Sequence, residues 1–240
     1  MTEICDDILL AVAATMQHVL GRIDIRCITL AVPPYLQEAP DLFVRFEGLQ
    51  GSLEITAQAE TYEELRDILF GPRGVLSSHS PRIDNVRELH IVGCSFVNGQ
   101  TLEHINVAMP NIVSISFFHC EEPRVFVLPP QSNPSSPPFT HLERIMVLGP
   151  VSGLGGLVKG RRECGVPLKA LVVGRGSGGF KYNDLEDYAA LEEFVDDLRV
   201  GCPTEIVEWG SENEVLNIWS ATHETCLVSP FYRKLVLVLG

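Results

Sequence analysis

Two stretches decide how the chain folds: VRELHIVGC at residues 86–94 and IVSISFFHC at residues 112–120. Both place apolar residues first, fourth and sixth and a cysteine ninth: Val86, Leu89, Ile91 and Cys94 in one, Ile112, Ile115, Phe117 and Cys120 in the other. They start 26 residues apart (86 to 112). Alternation of apolar residues over such a short run marks a strand with a buried face. Recurrence at a fixed offset marks a chain built from repeated units.

Working outward, looser copies follow at Leu142-x-x-Ile145-x-Val147, Leu168-x-x-Leu171-x-Val173 and Tyr232-x-x-Leu235-x-Leu237. Others precede at Ile25-x-x-Ile28-x-Leu30 and around Leu53-x-Ile55, and Thr204 to Trp209 is a degenerate copy. The pattern is that of a leucine-rich-repeat strand. The central residues (Ile28, Leu53, Leu89, Ile115, Ile145, Leu171, Ile206, Leu235) stand 25 to 36 residues apart. Helices are expected between them at Thr61 to Phe70, opened by Thr61-x-x-Glu64, at Gln100 to Ala108, at Asn183 to Arg199 and at Glu212 to Ala221. The segment 128–138 holds five prolines and three serines and is expected to be a surface loop.

A strand–loop–helix unit cannot bury its apolar face alone, so units must stack. The expected fold is α/β: an open leucine-rich-repeat-like solenoid of about eight strand–loop–helix units with a parallel sheet. It spans residues 25–240 behind an N-terminal helical cap at 1–24. The rival is a closed barrel of eight strand–helix units, for which about 250 residues is usual. Glycine-rich connectors such as Val151 to Gly160, expected not to complete a ring of helices, favour the open stack. So do the strand ends Val32, Ala57, Gly93, Gly149 and Gly174, where a barrel enzyme would carry reactive groups.

Composition bounds the function. With 45% hydrophobic and 20% charged residues, the 240-residue chain is a folded globular protein. Its 18 lysines and arginines against 31 acids, a net charge of −13, repel phosphate backbones and exclude nucleic acid as an expected partner. Apolar runs such as Leu235 to Leu239 are strand-sized, so no membrane span is expected. Acids within Met1 to Asp7 are not those of a signal peptide, which points to an intracellular setting, cytoplasmic or nuclear. Seven cysteines (Cys5, Cys27, Cys94, Cys120, Cys164, Cys202, Cys226) with no C-x-x-C pair give neither a disulfide framework nor a zinc spacing. No cofactor or metal is expected.

Several candidate sites have bland readings. Gly174 to Gly179 satisfies G-x-G-x-x-G, but Asp184, Glu186 and Asp187 in the following helix would repel a phosphate, so it reads as a connector. The residue between the inner apolar positions of each strand points to the opposite face. That row is Thr29, Glu54, His90, Ser116, Met146, Val172, Val207 and Val236. On three adjacent strands Glu54, His90 and Ser116 would mimic an acid–base–nucleophile order, yet a polar solvated face is the simpler reading and no catalytic residue is assigned. The remaining histidines lack metal-ligand spacing. Met146, Leu148, Val172, Val207, Trp209 and Val236 form an apolar stripe. It is either a partner-binding patch or the second covered face of buried parallel strands. Glu192, Glu193, Asp196 and Asp197, alternating with Leu191, Phe194, Val195 and Leu198, read as an amphipathic acidic helix.

Three segments carry a resemblance: VRELHIVGC at 86–94, LKALVVGRG at 168–176, and LEDYAALEEFVDDL at 185–198 followed by Cys202-Pro203. Over residues 50 to 220 the chain resembles the C-terminal leucine-rich-repeat-like region of mushroom-type fungal F-box proteins. The resemblance implies a non-enzymatic protein-interaction module, the substrate-recognition part of a cullin-type ubiquitin ligase. An F-box usually opens on a Leu-Pro pair, which Met1 to Leu20 lacks, so no adaptor-binding residue carries over. The partner is expected to be a protein; the alternatives are an enzyme on the closed barrel or a repeat remnant without a role of its own.

Overall fold

The computed structural model describes residues 24–32, 41–58, 69, 76, 83–93, 97, 99–118, 139–148, 154–174, 191–201 and 236–239. Its strands are β1 (Ile25–Ala31), β2 (Asp41–Gly48), β3 (Gly51–Gln58), β4 (Glu88–Val92), β5 (Ser114–Phe118), β6 (Arg144–Leu148), β7 (Leu168–Gly174), β8 (Val195–Gly201) and β9 (Val236–Leu239). Among the described residues, helices α1 (Gly99–Ala108) and α2 (Leu154–Glu163) connect β4 to β5 and β6 to β7. Among the described residues, these strands form one sheet in the order β8-β7-β6-β5-β4-β1-β2-β3-β9. β8 through β1 pair in parallel, while β2, β3 and β9 are added antiparallel. The fold is therefore α/β with a mixed, mostly parallel sheet, and β8 and β9 stand at its opposite ends. The sheet is open, which removes the closed barrel.

The repeat template is realised in register. Ile28, Leu89, Ile115, Ile145 and Leu171 are successive partners across β1, β4, β5, β6 and β7. Around this spine lie Val86, Ile112, Leu142 and Leu168 ahead of it and Ile91, Phe117, Val147 and Val173 after it, all buried. Leu102, Ile105 and Ala108 of α1 and Leu154, Leu157 and Val158 of α2 belong to the same apolar cluster. Each is spaced three or four residues from the next or directly beside it, so one helical face supplies them.

The backbone repeats as well as the side chains. Before β4, β5 and β6, one carbonyl receives the two amides that open the next strand: Arg87 O from Val113 N and Ser114 N, Val113 O from Glu143 N and Arg144 N, Glu143 O from Lys169 N and Ala170 N. These bonds are 2.8–3.0 Å long. At the other end of β4, Gly93 has φ +64°, and a Cβ there would collide with the Val32 carbonyl oxygen. Only glycine lets the chain leave β4 against β1 at that point.

Several expectations are corrected. The unit around Leu53 does not stack in parallel: β2 and β3 form an antiparallel hairpin in which Gly48 pairs Gly51 around the two-residue turn Leu49-Gln50. Two residues can reverse a strand, whereas a parallel partner requires a crossover. β4 consequently pairs β1, and the final strand, β9, joins the hairpin edge antiparallel through Thr56↔Val236 and Glu54↔Val238.

The expected helix over Asn183 to Arg199 ends in a strand, because Val195, Leu198 and Val200 pair Leu168, Leu171 and Val173. The glycine-rich connector Val151 to Gly160 contains most of α2. One face of it is buried, and Arg161 and Arg162 complement the carbonyl end. Gly165 (φ +77°) closes the helix, with Val166 N to Arg161 O and Gly165 N to Arg162 O, a Schellman cap. Expected α1 is confirmed with one added residue, Gly99. The cap at 1–23, the loop 128–138, Thr204 to Trp209, Glu212 to Ala221, and Thr61 to Phe70 apart from Leu69 lie outside the described residues.

Candidate functional site

The sheet face opposite the helices carries three rows of side chains, set by strand pairing and by the two-residue alternation of each strand. At the strand starts the row reads Ser52, Glu47, Cys27, Glu88, Ser114, Arg144, Ala170 and Asp197. These residues are half-buried or exposed. The middle row is Glu54, Arg45, Thr29, His90, Ser116, Met146, Val172 and Arg199. Thr29, His90, Ser116, Met146 and Val172 in it are all at most 5% exposed. Beyond them, Ala31, Val92 and Phe118 join Met146 and Val172 in a second apolar cluster, with Phe43 packed against it. This face is wet where the strands begin and dry where they end.

That gradient locates the expected site residues. Met146 and Val172 are packed at 3% and 2% exposure, the arrangement of strands covered on both faces. Leu148 lies in β6 opposite Phe118 and Gly174, and Val236 in β9 opposite Thr56. Val207 and Trp209 lie outside the described residues, as do Cys94, Cys120 and positions 175–179 of the glycine run. His90 and Ser116 are registered neighbours, but Glu54 is separated from His90 by β1 and β2, so the acid–base–nucleophile order is not assembled.

A different group converges between the wet and dry rows. Cys27 on β1 pairs Glu88 on β4, and His90 is two residues along β4 on the same face. One donor atom from each of Cys27, Glu88 and His90 lies within 4.8 Å of the other two. His90 Nε2 is 4.0 Å from Glu88 Oε2. His90 Nδ1 and Thr29 Oγ1 are buried without a hydrogen-bond partner among the described residues. Burial pushes the His90 imidazole down to about 4, so it is neutral at physiological pH.

On the other side, Cys27 pairs Glu47 of β2. Burial raises the Cys27 thiol far above its usual range, and the Glu47 and Glu88 carboxylates raise it further. Glu47 is neutralised by Arg45, 2.7 Å away, which also lies 3.6 Å from Glu54.

The chain matches no protein-family model, no curated protein and no solved structure. The site's chemistry is therefore carried by its residues alone. A neutral imidazole, a protonated thiol and a carboxylate form a donor-rich, cation-poor cluster. It is not a nucleophile-and-base pair, because a thiol with a raised pKa is a poor nucleophile.

Cys27 and Glu88 had no distinguishing signal in the sequence, being 61 residues apart (27 to 88). Their juxtaposition follows from β1 pairing β4, which depends on the β2–β3 hairpin lying on the far side of β1. His90 was visible in the lateral row, with the wrong carboxylate assigned beside it. Among the described residues no helix is long and apolar enough to cross a membrane.

Proposed function

We propose that the chain is a protein-interaction module on an open leucine-rich-repeat-like stack. It resembles the substrate-recognition repeats of an F-box subunit of a cullin-type ubiquitin ligase. The observation supporting this reading is the repeated carbonyl at Arg87, Val113 and Glu143, each receiving the two amides that open the next strand. A chain that repeats one backbone device from unit to unit builds an extended, quasi-one-dimensional surface, which is the form such recognition arrays take. Openness of the sheet supports it too, since an unclosed stack leaves its strand starts accessible.

The partner surface is the wet row of strand starts, where Arg144 is exposed, and Trp209 of the apolar stripe read from the sequence is a further candidate contact. Met146 and Val172 lie two residues further along the same strands, buried on the same face.

The test is co-purification of the full chain with a binding partner, with light scattering of the complex to establish stoichiometry. A defined complex that is lost in Arg144→Glu or Trp209→Ala, with unchanged circular dichroism and melting, supports the module. Recovery of a cullin adaptor in that complex supports the ligase assignment, and a defined complex without it leaves a free-standing binder. Retention of the partner by both variants, or a chain that stays monomeric under native extraction, overturns the proposed surface and its role.

A further inference from the structure

We propose that Cys27, Glu88 and His90 form a zinc site that ties β1 to β4, with Cys27 Sγ, a Glu88 carboxylate oxygen and a His90 ring nitrogen as its protein ligands. The inference is independent of the interaction role. Its first ground is geometry: donor atoms from two strands already lie within 4.8 Å of each other, and the Glu88 to His90 pair is at 4.0 Å. Tetrahedral zinc with arms of about 2.0–2.3 Å separates its ligand atoms by about 3.5 Å, so side-chain rotation closes the remaining distance.

The second ground is the imidazole. His90 has a ring nitrogen buried without a hydrogen-bond partner, which costs free energy unless something else engages the ring. The third is charge. Cys27 sits between two carboxylates, of which Glu47 is paired with Arg45 at 2.7 Å, while Glu88 lies 4.0 Å from His90. A divalent cation would complete this balance.

The donor set selects the ion. Thiolate and imidazole favour zinc over magnesium or calcium, which require oxygen cages, and the carboxylate argues against copper(I). Three protein ligands leave a fourth position for water or for the Glu47 carboxylate, which pairs with Cys27 across β1 and β2. Binding is balanced by one proton. The thiol gives up its proton as the sulfur–zinc bond forms, while the imidazole and the carboxylate bind through lone pairs.

The site falls where the sheet changes from parallel to antiparallel. β1 is parallel to β4 on one side and antiparallel to β2 on the other. The ion would lock the hairpin side of the sheet to the first strand of the repeat ladder.

Cobalt(II) titration of the full, metal-stripped chain tests this. The expected result is one cobalt per chain with a thiolate-to-cobalt charge-transfer band, displaced by zinc. Zinc raises the melting temperature and releases about one proton per ion, read from the buffer dependence of the binding heat. Cys27→Ser abolishes the band, and Cys164→Ser, at an exposed cysteine, retains it.

Glu88 is half-exposed, so Glu88→Gln preserves the fold and weakens zinc by more than the roughly 10–100-fold that loss of an outer-shell partner produces. No band at excess cobalt overturns the site. So does a band that survives Cys27→Ser, or an affinity unchanged in Glu88→Gln.

Discussion

Thr29 and His90 are registered partners on β1 and β4. Both are buried, and among the described residues neither Thr29 Oγ1 nor His90 Nδ1 has a hydrogen-bond partner. Two unsatisfied polar atoms side by side at the centre of a sheet are unusual in a native interior. They lie in the buried middle of a row that is charged at both ends, at Glu54 and Arg199.

The pH dependence of stability follows from His90. Its folded pKa of about 4 lies below the unfolded value of about 6.5, so the unfolded chain takes up the proton first as pH falls. Stability from this group is complete above about pH 6.5 and is lost progressively down to about pH 4, for a total of about 3 kcal/mol. Urea denaturation of the metal-free protein at pH 7.5, 5.5 and 4.5, with chelator present, measures it. His90→Leu is expected to flatten that part of the profile. An identical slope in the variant would assign the acid sensitivity elsewhere.

Arg161 joins α2 to the turn before β6. Buried at 1% exposure, it donates from Nη1 to Phe139 O at 2.8 Å and from Nη2 to Leu142 O at 2.6 Å. Burial lowers its pKa to about 10, which still leaves it charged at neutral pH. Phe139 has a left-handed φ of 52°, and its amide donates to Asn106 Oδ1 of α1 at 2.6 Å. Both helices thus hold a strained residue. Arg161→Met is expected to cost about 2–4 kcal/mol in chemical denaturation, because two buried carbonyls lose charged donors. Arg161→Lys is expected to fall between, since a point charge does not reproduce the planar fork.

On the outer face, Met146 and Arg199 occupy the same row with opposite roles. Met146 is buried in the second apolar cluster, while Arg199 is half-exposed and pairs with Asp197 at 2.7 Å. Met146→Ala is expected to lower stability by about 2–4 kcal/mol, and Arg199→Ala to leave it nearly unchanged. Thermal and urea unfolding of both variants check this. A near-neutral Met146→Ala would return that position to the accessible surface.

The residues 195–200 show how the sequence could be read two ways. Leu191, Phe194, Val195 and Leu198 have helical spacing, yet Val195-x-x-Leu198-x-Val200 is also the repeat template, 27 residues beyond Leu168-x-x-Leu171-x-Val173. Pairing with β7 decides for the strand over Val195–Gly201. α2 is the reverse case. Gly155, Gly156 and Gly160 speak against a helix, and the buried face at Leu154, Leu157, Val158 and Arg161 overrides them. Local propensity is weaker than burial in both places.

What the sequence determined by itself was the inner spine, Leu89, Ile115, Ile145 and Leu171, and the helix between its first two strands. Side-chain period and repeat offset are local properties, written along the chain and enforced by the need to bury one apolar face. Only the tertiary structure decided the neighbours of that spine. A two-residue turn folded β2 and β3 away from β4, let β1 pair it instead, and set Cys27 beside Glu88 and His90. Strand order depends on competing long-range pairings whose free energies differ by little, and no spacing within a single strand records which of them wins.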